Sequence, residues 1–287
     1  MLWKNWGLTV RFQSAPHSTL WLAFLVVLFY LCPAHGSCAK QPADSEVAYG
    51  PLPAQKLILC RPQTTGSRSP GVLLLHGGGW IAGTAAGLKI WCDLFARHGF
   101  VAATVDYRLA GDKAHWPAQR EDAELALQWL RAHSDEIGLD GNHICAYGES
   151  AGGHIALGLG GPEDKLACIV DAFGPTDLTA LTGPAYQRSF IALVGEEDAT
   201  WQQRLRAASP LFNLKPGFPP VLIVHGESDE LIPPEQSTAL MDALRRQKTP
   251  VMAIMYRGGH SWSHVSALDS ASIMNHIILF MKTATER

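Results

Sequence analysis

Short apolar runs alternate along most of this chain with segments whose apolar residues recur every three or four positions. The apolar runs predict buried strands, which cover residues 56–60, 71–75, 100–105, 143–146, 166–172, 221–224 and 251–256. The segments with helical spacing cover residues 88–98, 117–134, 154–159, 235–247 and 267–282. Because strands alternate with helices, the pattern predicts an α/β fold with a mostly parallel central sheet covered by helices on both faces.

Two stretches depart from this alternation. Residues 41–53 are polar and dotted with prolines, and we interpret them as an irregular segment that leads into the domain. Residues from about 174 to 218 hold prolines, a tryptophan and mixed charges. We expect this long connection to form a short helical lid over the site; the alternative is a pair of linking helices that touch no substrate.

The first 39 residues differ in composition from the rest of the chain. Lys4 and Arg11 are their only charged side chains, residues 20–31 are an unbroken apolar run, and small residues follow at 34–39. This order predicts a secretory signal peptide over residues 1–39, followed by a catalytic domain over residues 40–287. The apolar run is shorter than the roughly 20 residues that span a membrane. An uncleaved N-terminal anchor is the alternative.

Composition narrows the classes of protein further. The chain has 287 residues, 47% of them hydrophobic, and a formal net charge of −3. It has no basic run, so we expect no nucleic-acid partner. After removal of the leader we expect a secreted or periplasmic protein without stable membrane insertion.

The cysteines of the expected mature chain are Cys60, Cys92, Cys145 and Cys168. An exported protein can form disulfides from such residues. Cys145 and Cys168 fall inside apolar runs, however, where buried free thiols are common. No two cysteines have the C-x-x-C spacing of a structural zinc site.

A candidate nucleophile stands between a predicted strand and a predicted helix. The sequence GESAG at residues 148–152 matches G-x-S-x-G, which places a serine on a sharp strand-to-helix turn. The glycines are needed because a side chain at either position would collide with neighbouring backbone. We therefore expect Ser150 to be a catalytic nucleophile at the start of a helix.

A serine hydroxyl needs an adjacent base, and that base is usually a histidine oriented by a carboxylate. The predicted strand at 221–224 leads into three competing acids, Glu227, Asp229 and Glu230. We choose Asp229, which lies a few residues past the strand end. The next strand leads to His260, which two glycines precede. The order Ser150, Asp229, His260 is that of serine hydrolases with this elbow.

Three glycines after the strand at 71–75 suit an oxyanion loop. The sequence HGGGW at residues 76–80 leaves backbone amides unobstructed near the predicted elbow. We expect the amides of Gly78, Gly79 and Ala151 to bind the negative oxygen of a tetrahedral intermediate. Trp80 is expected either to wall the substrate pocket or to pack in the core.

No metal or cofactor is expected. His260 and His264 have the spacing of two helical metal ligands, but the glutamate of an H-E-x-x-H site is absent between them. Acyl transfer through a serine, a histidine and an aspartate needs no cofactor.

Six motifs occur in the order of one family. The chain resembles α/β-hydrolase esterases of the hormone-sensitive-lipase type and the related feruloyl and acetyl carbohydrate esterases. The motifs that carry the resemblance are HGGGW (76–80), VDYRLA (105–110), GESAGG (148–153), FGPTDL (173–178), HGESDELIP (225–233) and GGH (258–260). The resemblance covers about residues 45–284, and it implies the α/β-hydrolase fold.

The same resemblance implies site residues and a branch of the family. It implies a triad of Ser150, Asp229 and His260, with oxyanion donors at Gly78, Gly79 and Ala151. Where the lipase-type branch continues into a proline-rich segment, residues 111–113 read GDK. This departure, together with FGPTDL and the short lid, makes the chain more similar to the carbohydrate-esterase branch. Within VDYRLA, the resemblance implies a structural pair of Asp106 and Arg108.

These observations predict a serine hydrolase that cleaves carboxylic esters through an acyl-enzyme. We expect a small-molecule or polysaccharide-linked substrate with a short acyl or aryl group. One alternative is an amide-bond hydrolase that uses the same triad. Another is an inactive binding protein on the same fold.

Overall fold

A mostly parallel β-sheet forms the centre of the protein. The computed structural model describes residues 9–11, 45–63, 68–111, 113–262 and 265–286. The strands are β1 (Thr9–Arg11), β2 (Ser45–Ala48), β3 (Lys56–Cys60), β4 (Ser69–Leu75), β5 (Val101–Val105), β6 (Leu139–Glu149), β7 (Cys168–Ala172), β8 (Val221–Gly226) and β9 (Val251–Tyr256). The α-helices are α1 (Lys89–Arg97), α2 (Ala118–Ala132), α3 (Ser134–Ile137), α4 (Ala151–Gly158), α5 (Pro184–Val194), α6 (Trp201–Ala208), α7 (Glu235–Arg246) and α8 (Ala267–Thr285). Short 3₁₀ turns lie at Ala85–Leu88, Leu178–Ala180 and Pro210–Phe212.

Within the described residues the strands follow the order β1-β9-β8-β7-β6-β4-β5-β3-β2. Strand β3 is antiparallel to both β2 and β5, and every other neighbouring pair is parallel. The prediction of a mostly parallel sheet is therefore confirmed. Strand β2 lies where we expected only an irregular segment. This segment of four residues is too short and too polar to show a strand pattern in the sequence. Its pairing with β3 holds it in the extended conformation.

Alternate residues of the central strands pack into two hydrophobic cores, one on each face of the sheet. Leu73 and Leu75 of β4 join a cluster that includes residues of α2, α4 and α7. Val72 and Leu74 join a second cluster with residues of α1 and α8. Burial on both faces explains why these strands are continuous apolar runs in the sequence.

The expected leader lies mostly outside the described residues. Residues 1–8 and 12–44, which include the apolar run at 20–31, are not among them. Thr9–Arg11 forms strand β1, which pairs in parallel with residues 253–255 of β9. In the part of the chain that is described, no helix has both the length and the apolar character to span a bilayer.

The expected pairing of Asp106 with Arg108 is wrong. The Arg108 guanidinium instead contacts the carboxylate of Asp122 on α2, with Nε 3.0 and 2.9 Å from its two oxygens. Asp106 accepts the amide of Ala85 at 2.6 Å. The Asp122 side chain is buried, and a buried carboxylate needs a charged partner, so it draws the arginine away from its near neighbour in sequence.

Among the described residues, two disulfides join Cys60 to Cys92 and Cys145 to Cys168. The sequence left open whether Cys145 and Cys168 are bridged or free, and the structure shows them bridged. These two residues face each other in register on the parallel strands β6 and β7, with their Cα atoms 4.7 Å apart. That spacing lies within the range of disulfides. The positions of cysteines in the sequence do not show which strands become neighbours, and therefore do not show which cysteines can form a disulfide.

Three backbone segments meet closely where β6 turns into α4. A Cβ atom on Gly152 would lie 2.0 Å from the carbonyl oxygen of Leu75 on β4. A Cβ atom on Gly148 would lie 2.1 Å from the carbonyl oxygen of Gly152. Neither backbone oxygen can move without disturbing the sheet or the helix. The glycines of the GESAG motif are thus required by the contact of β4, β6 and α4.

The Cys60–Cys92 bridge closes a loop with a sequence separation of 32 residues. Replacing both residues by alanine should lower the free energy of unfolding by about 3–4 kcal/mol, because the unfolded chain regains loop entropy. Denaturant titration of the variant and the wild type measures this difference. Peptide mapping of the unreduced wild type is the control. Recovery of both cysteines as free thiols would contradict the assignment.

Gly152→Ala should lower the free energy of unfolding by at least about 3 kcal/mol, or prevent folding, because its new methyl group meets fixed backbone. Gly87→Ala is the matched control, since a Cβ atom there meets nothing within 4 Å. We expect the control to stay within about 0.5 kcal/mol of the wild type. Thermal unfolding followed by circular dichroism compares the two, and equal midpoints would refute the steric account.

Candidate active site

The carboxyl ends of β6, β8 and β9 bring three polar side chains together. His260 Nε2 lies 3.0 Å from the Oγ of Ser150, and His260 Nδ1 lies 2.7 Å from Oδ2 of Asp229. Ser150 follows β6, Asp229 follows β8 and His260 follows β9. Since these strands are parallel, residues far apart in sequence meet at one edge of the sheet.

Ser150 sits on a strained turn that exposes its hydroxyl. Its backbone has φ 53° and ψ −119°, a combination that L-residues adopt rarely. The Ser150 amide donates to the carbonyl of Ala172 at 2.9 Å, which holds the turn against β7. Helix α4 begins at the next residue, so its first amides point toward the serine side chain.

The hydrogen bonds of His260 define the proton arrangement of its ring. Asp229 is an acceptor, so Nδ1 of His260 donates to it and Nε2 is left to accept the proton of the Ser150 hydroxyl. This tautomer is the one that a general base needs.

Asp229 is held as a carboxylate. Burial alone would raise the pKa of its carboxyl. Hydrogen bonds from His225, His260 and the amide of Ile232 outweigh burial and hold this pKa well below its usual range. Glu227 and Glu230, the other acids of this loop, are exposed. Of the three acids that the sequence left in competition, the structure brings only Asp229 to His260.

Sequence reasoning missed His225, which supports the acid from below. This fully buried ring contacts Asp229 Oδ2 through Nε2 at 3.2 Å. Its Nε2 also contacts the carbonyl of Ile232 at 2.8 Å, and its Nδ1 contacts Ser237 Oγ at 2.6 Å. The signal was its position as the first residue of the HGESDELIP segment, at the end of a buried strand.

The glycine loop after β4 packs against the serine turn. Gly78, Gly79 and Trp80 have φ values of 114°, 58° and 64°, and a Cβ atom on Gly78 would lie 2.2 Å from the carbonyl oxygen of Ala82. A Cβ atom on Gly77 would lie 3.3 Å from the Cβ of Ser150. The loop therefore presents its backbone beside the serine hydroxyl.

Trp80 both packs in the core and lines the cavity. Its indole Nε1 donates to Nδ1 of His154 at 3.2 Å, and Nε2 of His154 contacts the carbonyl of Ala208 at 2.8 Å. Burial lowers the pKa of His154 to about 4, so its ring is neutral at neutral pH. His154 thus joins the glycine loop, helix α4 and helix α6.

A largely apolar cavity of about 490 Å³ opens above Ser150. Helix α5 forms one wall, and the hydroxyl of Tyr186 on this helix donates to the carbonyl of Leu231 at 2.6 Å. That bond ties α5 to the loop that carries Asp229. The larger apolar lining residues include Trp80, Ile81, Phe173, Leu181, Phe190, Leu231 and Ile232.

Within the described ranges, no group of three or more histidine, cysteine or acidic side chains is arranged to hold a metal ion. His264, which the sequence pairs with His260 at a metal-ligand spacing, lies outside those ranges.

Solved structures share this fold. A truncated carbohydrate esterase from gut microbiota superposes with a TM-score of 0.74 at 20% identity, covering 85% of this chain and 96% of that one. A thermophilic esterase from Thermogutta terrifontis superposes with a TM-score of 0.69 at 24% identity, covering 84% of this chain and 92% of that one. The fold is therefore the α/β-hydrolase fold, as predicted.

Sequence relatives include named esterases. Esterase LipC of Mycobacterium tuberculosis is 28% identical over 258 residues, which are 82% of this chain and 64% of LipC. The isoprenylcysteine alpha-carbonyl methylesterase ICME of Arabidopsis thaliana is 24% identical over 88% of this chain and 64% of that protein. The chain thus spans less than two thirds of the length of these relatives. A family model described as BD-FAE matches residues 57–244, and the chain belongs to the BD-FAE family.

Proposed function

We propose that this protein hydrolyses carboxylic esters through an acyl-enzyme on Ser150. The observation that carries the proposal is the unbroken hydrogen-bond chain from Ser150 Oγ through His260 to Asp229, at 3.0 and 2.7 Å, beneath an apolar cavity. Relatives named as esterases support the same reaction class.

In the first half of the reaction His260 Nε2 takes the proton of the Ser150 hydroxyl as Oγ attacks the ester carbonyl carbon. The carbonyl π electrons move to oxygen, and the amides of Gly78, Gly79 and Ala151 would donate to this oxyanion. The Ala151 amide lies in the first turn of α4, where an amide has no intrahelical acceptor. Asp229 stabilises the imidazolium that forms on His260.

Collapse of the intermediate breaks the bond to the alcohol oxygen. His260 returns its proton to that oxygen, and the alcohol leaves. A water molecule then loses a proton to His260, attacks the acyl carbon and releases the acid, while Ser150 regains its hydroxyl proton. Protons and charges balance over the cycle, so the proposed reaction consumes only ester and water.

The cavity supports a short acyl or aryl ester as substrate. Its 490 Å³ and its aromatic and aliphatic walls suit a small apolar group beside Ser150. Two structural neighbours are described as a carbohydrate esterase and as an acetyl ester-xyloside bifunctional hydrolase. In line with these neighbours, we propose that the alcohol component of the ester belongs to a polysaccharide.

Two further proposals concern a lid over the cavity and the export of the protein. Helices α5 and α6, within the segment at about 174–218, are proposed to act as a lid, which the contact between Tyr186 and Leu231 supports. Export to the periplasm or the medium is proposed from the composition of residues 1–39. The two disulfides support an oxidising compartment.

Ser150→Ala should abolish hydrolysis of p-nitrophenyl esters, with a fall in kcat of roughly 10⁶-fold, because the nucleophile acts as a unit with its base. The measurement is a series of esters from acetate to decanoate, with methyl ferulate, acetylated xylan and a matched anilide. Ser228→Ala, an exposed serine beside Asp229, is the control and should keep wild-type activity.

Three outcomes of this assay differ in meaning. Short acyl or ferulate esters turned over only by proteins with Ser150 would support the proposal. Cleavage of the anilide in preference to the ester would replace it with an amide hydrolase. Full activity in Ser150→Ala would refute the mechanism.

A further inference from the structure

Glu149 directly precedes the candidate nucleophile and has no part in the mechanism above. Its side chain lines the catalytic cavity at the end of β6. Its Oε1 accepts the indole Nε1 of Trp262 at 2.8 Å and the hydroxyl of Tyr147 at 2.6 Å. Two neutral donors thus fix the position of this carboxyl group.

The strongest link runs from Glu149 to the loop that carries His260. Trp262 follows His260 by two residues, so its bond to Glu149 fixes the loop just beyond the imidazole. Tyr256 fixes the same loop through its hydroxyl, which donates to the carbonyl of Ser261 at 2.7 Å. Two side-chain hydrogen bonds thus restrain the segment that positions His260.

Ring packing completes this arrangement. Phe173 lies edge-on to both His260 and Trp262, with ring centroids 5.2 and 5.7 Å apart. Trp262 stacks on Tyr256 and meets Trp91 edge-on. The indole of Trp262 and the imidazole of His260 are therefore parts of one packed aromatic cluster.

Glu149 and His260 line the same cavity. Burial raises the pKa of the Glu149 carboxyl above its usual range, and its hydrogen bonds and the charge of His260 offset only part of this rise. The other titratable groups that face it are Tyr147 on β6 and Tyr256 on β9, and the pKa of each hydroxyl is raised by burial, so both stay neutral. A carboxylate form of Glu149 would therefore attract the positive charge that forms on His260 during the reaction.

We propose that Glu149 is a positioning residue for His260, which anchors the histidine loop through Trp262 and stabilises by its charge the imidazolium formed during attack by Ser150. Asp229 holds the Nδ1 side of the ring, and Glu149 supplies a second negative charge from the elbow. This inference rests on the proposed esterase reaction.

The test compares Glu149→Gln with Trp262→Phe in the full chain. Glutamine keeps an acceptor oxygen for Trp262 and Tyr147 but removes the charge. We expect kcat on p-nitrophenyl acetate to fall about tenfold with little change in KM, since one pKa unit of interaction corresponds to a factor of ten. The acid limb of the kcat/KM profile should move to lower pH, because a neighbouring negative charge no longer favours protonation of the base.

Trp262→Phe keeps the charge and the aromatic packing but removes the indole donor. We expect kcat to fall at an unchanged KM, without the displacement of the acid limb to lower pH. Circular dichroism of both variants checks that the fold is intact. If Glu149→Gln does not fold, Trp262→Phe alone decides, and wild-type kcat in it would overturn the inference.

Other outcomes separate this inference from the proposed function. A Glu149→Gln profile that superposes on that of the wild type, or a lower kcat with an unmoved acid limb, would overturn the role of the charge. A wild-type protein that turns over no ester and whose Ser150 resists a serine-reactive phosphonate would instead refute the proposed function. Rescue of kcat and of the acid limb by Glu149→Asp would support the role of the charge.

Discussion

The contact between the backbones of β4, β6 and helix α4 is the constraint on which the site depends. A carbonyl oxygen of β4 lies where a side chain on Gly152 would begin, and the carbonyl of Gly152 lies where a side chain on Gly148 would begin. This contact forces Ser150 into its unusual backbone conformation and places the glycine loop beside it. The strain of one residue is offset by two hydrophobic cores that pack the sheet from both sides.

Buried polar groups around the site are satisfied in layers. Asp229 receives two amides and contacts two histidines, and His225 beneath it contacts both a carbonyl and a hydroxyl. Glu149 receives a tyrosine and an indole. An unpaired buried charge costs several kcal/mol. The hydrogen-bond partners of each buried group therefore stabilise its charge and fix its position. The aromatic cluster around Trp262 then joins the two carboxylates through the histidine loop.

Much of the fold follows from the sequence because its strands are buried on both faces. Strands β3 and β9 have the bounds that the apolar runs predict, whereas β2 was missed because an exposed edge strand of four residues has no apolar run. The candidate triad could be proposed from motif order, since each residue follows a predicted strand. Choosing Asp229 over Glu227 and Glu230 needed the loop geometry that buries one acid and exposes the others.

One wrong prediction and one question that the sequence left open concern side chains whose partners are set by tertiary packing. Arg108 pairs with Asp122 across the chain and not with Asp106, and Cys145 meets Cys168 only because β6 and β7 are adjacent. The support of Glu149 by Trp262 joins residues 113 positions apart and has no local signal. Patterns within one segment predict elements and exposed motifs, but the partners of buried polar groups are set by packing.

Covalent labelling by a fluorophosphonate, mapped by mass spectrometry, tests whether His260 and Asp229 activate Ser150. We expect one adduct, on Ser150, whose formation is lost or greatly slowed in His260→Ala while circular dichroism shows an intact fold. Labelling at another residue, or labelling of Ser150 at the same rate without His260, would contradict the claim that this hydrogen-bonded chain activates the serine.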